Sequence, residues 1–460
     1  MVYCIHAKGG GTMRTLLKNV DAVISCDRQD RIYRNTDVWF RDGLIECIGE
    51  QAATPDRTYD CRGMILYPGF VNTHHHLYQY FTRSLERVQG MELFDWLRTL
   101  YEIWKNLNED TVYLSSLAAM GELMRYGCTT CFDHHYVFPK GAGDLIARQM
   151  AAADELGIRF VASRGSMDLS KKDGGLPPDS VVQTIDEILA DSQRLIERYH
   201  HPERDHMHDI VLAPCSPFSV SGDLMREIAK LARAYGVRLH THVGETRDEE
   251  NYTLSRFGMR PVAYMESLGW MGEDVWYAHG IHMDDGELDQ LAATGTGVAH
   301  CPNSNMKLHS GVCRVPDMLK RGVRVGLAVD GSASNDGSNM IDEIRAAFLL
   351  HRLSWGEQAP SGYELLKMAT AGSAALLGRE DIGSLETGKR ADCFLIRREQ
   401  PDLLCAELDE KDLFGNVGYH KPCDLVFVNG RLTVEAGRLL TVDEARLYRD
   451  GKKEVARLLG

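Results

Sequence analysis

Three consecutive histidines close an apolar run, ILYPGFVNTHHH (65–76), and other apolar runs close on residues of similar chemistry. His134 and His135 follow CTTCFD. His240 and His242 lie in VRLHTHVGE, with Glu245 three residues beyond the second, His279 and His282 end VWYAHGIH, and Asp330 ends VRVGLAVDGS. Together with His300, ten of the 18 histidines fall at these few positions, which a scatter of surface histidines would not produce. His74 and His76 are two apart, so in a strand both imidazoles point to one side while His75 points to the other. With His242 and Asp330 they complete a set of three nitrogens and one oxygen suited to a single divalent metal, Zn²⁺ first, with Fe²⁺ or Mn²⁺ as alternatives. Such a cation lowers the pKa of a neighbouring water from about 15.7 to about 7, which is a hydrolytic chemistry. Asp330 can also accept the water's proton, Glu245 can pass a proton to a leaving group, and His279 can hydrogen-bond the nucleophile. The bland alternatives, a polar loop for HHH and a solvated carboxylate for Glu245, fit poorly with an internal run that ends an apolar strand.

These residues need elements that bring distant stretches together. Eight short apolar runs (65–76, 128–135, 159–166, 209–216, 237–245, 275–282, 297–305 and 323–332) alternate with amphipathic segments such as DLIARQMAAADELG and DLMREIAKLARAYG. The segments close near a Gly that can cap a helix. This alternation predicts a parallel sheet, and eight units fit a closed (β/α)₈ TIM-like α/β barrel. An open doubly wound sheet would show a glycine-rich phosphate turn after its first strand, where this chain has NTHHHLYQ. The C-terminal ends of barrel strands form the active face, and the polar residues above all lie at such ends.

The flanks read as short strands, with Asn429-Gly430 as a hairpin signal. The expected organisation is a loose leader over 1–13, a first β-domain part over 14–64 and the barrel over 65–385. A second β-domain part over 386–445 then completes a small composite domain built from both termini, and a helix covers 446–460. The 460 residues carry 52 Lys+Arg against 66 Asp+Glu, a net charge of −14. That balance argues against a general nucleic-acid or membrane-surface binder. No apolar run approaches the roughly 20 residues of a membrane span, and the N-terminus lacks a signal-peptide core. The 12 cysteines are scattered and read as reduced, buried thiols of a cytoplasmic protein. Cys128-x-x-Cys131 has no second pair to make a metal site. The stretch HHPERDHMHD (200–209) reads as a solvated loop, and its His201-Pro202-Glu203 lacks the downstream P-C-x-x-C of cytidine-type deaminases. Oligomeric state is left open, a homo-oligomer included.

The motifs PGFVNTHHHLYQ, HTHVGET, YAHGIH, AHCPNSNMKL and GLAVDGSASND resemble the amidohydrolase superfamily, in its branch of mononuclear aminohydrolases acting on purines, pterins and s-triazines. The match spans about residues 14–440. DHHYVFP (133–139), SRGSMDLSKKDGGLPP (163–178) and APCSPFSV (213–220) are similar to members of that branch acting on 8-oxoguanine. By motif, the resemblance implies that His74, His76, His242 and Asp330 bind the metal, that Glu245 transfers protons and that His279 assists the water. The strand DIVLAPCSP lacks the lysine of binuclear members, so one metal is expected. Guanine deaminases share HxHxxQ (His74, His76, Gln79), but their Arg-Phe after the fourth strand's Pro is absent here, which weakens plain guanine as substrate.

The implied reaction is hydrolytic deamination of an aminated heterocycle, 8-oxoguanine to uric acid and ammonia foremost. Isocytosine, pterin, guanine or s-triazine substrates remain alternatives. Gln79, Tyr78, Trp96, His135 and Arg164 are the expected pocket residues, with ordinary packing the competing role for Tyr78 and Trp96 and an internal ion pair for Arg164. A reading of another class is a non-catalytic barrel that keeps a metal and binds a ligand. The presence of both Glu245 and Asp330 argues against it.

Overall fold

A computed structural model describes residues 13–201 and 207–460. The expected leader, apart from Met13, and residues 202–206 of the polar stretch lie outside the described residues. Eight parallel strands form the barrel in sequential order. They are β1 (Phe70–Asn72), β2 (Cys128–Asp133), β3 (Arg159–Ser166), β4 (His208–Pro214), β5 (Arg238–Val243), β6 (Val275–His279), β7 (Gly297–His300) and β8 (Val325–Leu327). Each expected run supplies one of them. Val71, Phe132, Val161, Val211, Ala213, Trp276, Ala299 and Ala328 fill the lumen below the site and form one buried cluster, a packed floor rather than a pore. The intervening helices close as their glycines suggest. Gly157 and Gly236, at φ +75° and +70°, end Leu145–Leu156 and Gly222–Tyr235 in the left-handed conformation that residues with a Cβ disfavour.

The seam between β1 and β8 is closed by specific bonds rather than by a regular ladder. The Asn72 side-chain carbonyl accepts from Val329 N (3.0 Å), and Asp330 N donates to His74 O (3.1 Å). First and last strands thereby deliver their polar ends to the same spot.

The run 65–76 divides at Gly69. Met64–Pro68 belongs to a second sheet, pairing parallel with Arg14–Ile24 and antiparallel with Cys393–Arg397. Only Phe70–Asn72 enters the barrel. The break needs glycine, because a Cβ at position 69 would stand 2.1 Å from Thr129 Oγ1. The second sheet thus draws strands from both ends of the chain and has its own core of Leu17, Val38, Phe40, Leu66, Leu395 and Phe427. Asn429 and Gly430, both at positive φ, form the two-residue turn between Leu425–Val428 and Arg431–Glu435. The C-terminal helix spans Glu444–Leu459. All described cysteines are free, Cys128 and Cys131 buried among them. Among the described residues no helix is long and apolar enough to cross a membrane.

Candidate active site

At the C-terminal mouth of the barrel, His74, His76, His242, Glu245, His279 and Asp330 converge, each less than 9% exposed. Hydrogen bonds fix which ring nitrogen each ligand-type histidine offers. Carbonyl oxygens only accept, so His76 Nδ1–H donates to His134 O (2.7 Å) and His242 Nδ1–H donates to Cys215 O (2.5 Å). Burial pushes the pKa of His74, His76 and His242 below the ordinary histidine value, which keeps all three neutral. A neutral imidazole has one N–H, so His76 and His242 present bare Nε2 lone pairs. Those two atoms face each other at 3.2 Å, an arrangement that repels unless a cation lies between the nitrogens. Asp330 Oδ1 is 3.3 Å from both His74 Nε2 and His76 Nε2, and His74 Nε2 is buried with no hydrogen-bond partner. This donor set fits a divalent metal, and its three nitrogens and one oxygen suit zinc.

Asp330 is held from several directions. Its Oδ1 accepts from Gly331 N (2.6 Å), and its Oδ2 accepts from the hydroxyls of Ser304 and Ser334. Burial opposes its charge, but the closeness of the His74, His76 and His279 imidazoles keeps its carboxyl well below the usual carboxylate range. Its backbone, like that of His279, adopts a left-handed conformation (φ +62° and +72°). Such strain in residues with side chains clusters at functional sites.

Glu245 Oε2 lies 3.5 Å from His279 Nε2. Burial pushes Glu245 up to about 7, Asp330 adds to the rise and His279 counters it. A carboxyl poised there can both take and give a proton at neutral pH. Burial alone would lower His279, but the charges of Glu245 and Asp330 and a bond to Asn305 raise it. That bond runs from His279 Nδ1–H to Asn305 Oδ1 (2.9 Å) and aims Nε2 at the mouth. Glu249, on the helix Arg247–Phe257, accepts from Gly244 N (2.9 Å) and Glu245 N (3.2 Å), fixing the backbone that carries Glu245.

A pocket opens over these groups, walled by Gln79, Leu93, Trp96, Leu97, Tyr136, Cys215, Phe218, Leu308 and Ser334. The helix Leu93–Trp104 supplies Leu93, Trp96 and Leu97 from one amphipathic face. Trp96 Nε1–H and Gln79 Oε1 are buried there without partners, a donor and an acceptor for a bound molecule.

The other expected pocket residues lie elsewhere. Tyr78 is buried behind the wall, edge-on to Trp104 and His135. His135 bonds Val137 O (3.0 Å) and packs on Phe138. Arg164 donates to Asp191 (2.6 Å) and Gln183 (2.8 Å) and covers the Phe138 ring. Tyr136, Phe218 and Ser334 on the wall, and Asn305 and Ser304 behind it, carry no role expected from the sequence. His134, one of the strand-end histidines, stacks its ring on His242 at 4.7 Å. Strand alternation carries the signal for the direction of His134 and of the misplaced His135 and Arg164. Phe132 and Val161 point into the lumen, so His134 faces inward, whereas His135 and Arg164 face the helices.

The amidohydrolase family model matches residues 65–433. The chain is 48% identical over 360 residues to an 8-oxoguanine deaminase of Pseudomonas aeruginosa, covering 78% of this chain and 80% of that one. It is 38% identical over 455 residues to hydroxydechloroatrazine ethylaminohydrolase of Pseudomonas sp. strain ADP, with 95% and 94% covered. Among solved structures it resembles atrazine chlorohydrolase TrzN from Arthrobacter aurescens TC1 complexed with zinc, at TM-score 0.92 and 32% identity, covering 96% of this chain and all of that one. The barrel, the composite sheet, the family match and these relatives agree: the chain belongs to the amidohydrolase family and is an aminohydrolase within it.

Proposed function

We propose that this enzyme hydrolytically deaminates an oxo-purine, 8-oxoguanine, to uric acid and ammonia, using one divalent metal held by His74, His76, His242 and Asp330. The observation that carries the reading is the pair of bare Nε2 lone pairs facing each other at 3.2 Å beside an ionised, buried carboxylate. Zinc is the favoured metal, given the donor set and the zinc in the similar triazine hydrolase. When bound there, such an ion supplies Lewis acidity, lowering a water pKa from about 15.7 to about 7.

The chain's own groups manage the protons. Asp330 Oδ1, facing the same point as the imidazoles, takes the proton released as water adds to the amino-bearing ring carbon. Glu245, with its carboxyl pushed to about 7, gives its proton to the ring nitrogen. It then receives the proton taken up by Asp330 and hands it to the departing amine, and it regains its own from the added hydroxyl as the carbonyl forms. His279 Nε2, its cationic form favoured by Glu245 and Asp330, stabilises negative charge on the adding oxygen. The carbon–nitrogen bond breaks, ammonia leaves and a carbonyl replaces the amine. Apolar walls from Leu93, Leu97, Phe218 and Leu308 suit a flat ring, Gln79 Oε1 accepts a ring N–H, and Trp96 Nε1–H donates to a ring oxygen or nitrogen. The identity to an 8-oxoguanine deaminase supports the choice of substrate.

The test is ammonia release from a panel of aminated purines, pyrimidines, pterins and triazines. The reading predicts the highest kcat/KM for 8-oxoguanine. A higher value for a pterin or triazine would move the substrate assignment, and no ammonia from any member would remove the activity.

A further inference from the structure

His74 differs from the other two ligand-type histidines in how its ring is oriented. His76 and His242 each donate Nδ1–H to a backbone carbonyl. His74 Nδ1 instead meets another imidazole, His240 Nε2, at 2.9 Å. The direction of that bond is set one step further back, because His240 Nδ1 lies 2.9 Å from Trp276 O. The carbonyl accepts, so His240 carries its single hydrogen on Nδ1 and its Nε2 accepts. His74 must then carry its hydrogen on Nδ1, and its Nε2 is left bare toward Asp330 Oδ1 at 3.3 Å. The relay is rigid. His240 is fully buried, its ring lies against Trp276 (4.6 Å) and edge-on to Phe132 (4.9 Å), and Trp276 Nε1–H is anchored on Thr73 O (3.1 Å).

We propose that His240 is a positioning residue, selecting the Nδ1–H tautomer of His74 so that His74 Nε2 is available to the metal. This rests on the reading of His74 as a ligand. Both histidines are neutral in this scheme, and the selection is one of tautomer and ring orientation. Groups that orient a ligand histidine through its second nitrogen affect metal affinity by on the order of 10- to 100-fold.

The test compares full-length wild type, His240→Phe and His240→Gln after metal removal, by Zn²⁺ competition against a chromophoric chelator. Phenylalanine keeps a flat ring against Trp276 but offers no acceptor, whereas the glutamine amide oxygen can reach the place of Nε2. Zinc affinity is expected to fall about 10- to 100-fold in His240→Phe and to recover most of that loss in His240→Gln. Equal affinities in wild type and His240→Phe would overturn the proposal, as would a glutamine variant as weak as the phenylalanine one. Wild type that binds no zinc would remove the metal reading itself, and this proposal with it. Should His240→Phe not fold, long-range ¹H–¹⁵N spectra of ¹⁵N-histidine-labelled, metal-free wild type still decide. A protonated Nδ1 and bare Nε2 on His74 support the relay, and the reverse pattern overturns it.

Discussion

Asp330 is tied to His74 twice: its backbone N–H donates to the His74 carbonyl at 3.1 Å, and its Oδ1 stands 3.3 Å from His74 Nε2. The first bond belongs to the closure of the barrel between β1 and β8. The second lies in the candidate metal site. Closing the barrel and assembling the site are therefore one event, and residues 256 positions apart in sequence become neighbours because the sheet must end on itself.

Removing one imidazole separates ligation from folding. His76→Ala deletes a bare Nε2 that faces both His242 and Asp330. The purified variant is expected to hold well under one metal ion per chain by elemental analysis, with an unchanged circular-dichroism spectrum. Full metal occupancy would show that His76 is not a ligand.

Glu245→Gln preserves shape but removes the proton carrier. Its metal content is expected to match wild type, while ammonia release falls about 100- to 10,000-fold, the range for loss of a positioned acid–base group. Turnover near wild type would contradict the shuttle role.

Gly331 explains the placement of Gln79, because a Cβ at residue 331 would lie 2.0 Å from Gln79 Oε1. Gly331→Ala is therefore expected to push the amide out of position. The loss of one substrate hydrogen bond, about 1–3 kcal/mol, corresponds to a rise in KM of about 5- to 150-fold with metal content retained. An unchanged KM would remove Gln79 from substrate recognition.

Glu249 gives a pH dependence of stability. Burial pushes its carboxyl from the usual 4.5 up to about 8 despite two backbone N–H donors. The folded chain then holds a proton the unfolded chain has released. Stability from this group is complete below about pH 4.5 and is lost as pH rises through about 8, at up to about 1.4 kcal/mol per pH unit. Glu249→Gln loses one acceptor and is expected to be less stable at pH 5, with the gap to wild type narrowing toward pH 8 in urea unfolding. A gap that widens with pH would mean that the ionised form holds the Gly244–Glu245 backbone.

The barrel was legible because every barrel strand coincides with part of an apolar run, to within a residue at His208, and the site residues stand where such runs end. The composite sheet and the Asn429-Gly430 turn followed from local turn chemistry. The division at Gly69 was hidden, since a strand that changes sheets reads as one continuous run and only the approach of Thr129 marks the break. Arg164 and His135 looked like pocket residues by position along the strand, while their parity with lumen-facing Val161 and Phe132 placed them outward. His240, Asn305, Ser304 and Ser334 act through other side chains, and such contacts span stretches of chain that only the fold brings together.

Titration of metal-stripped protein with zinc, with ammonia release from 8-oxoguanine followed at each point, tests the site most directly. Activity is expected to be negligible in the stripped protein and to rise linearly to a plateau at one ion per chain. Full activity without the ion, or none at any zinc level, would contradict it.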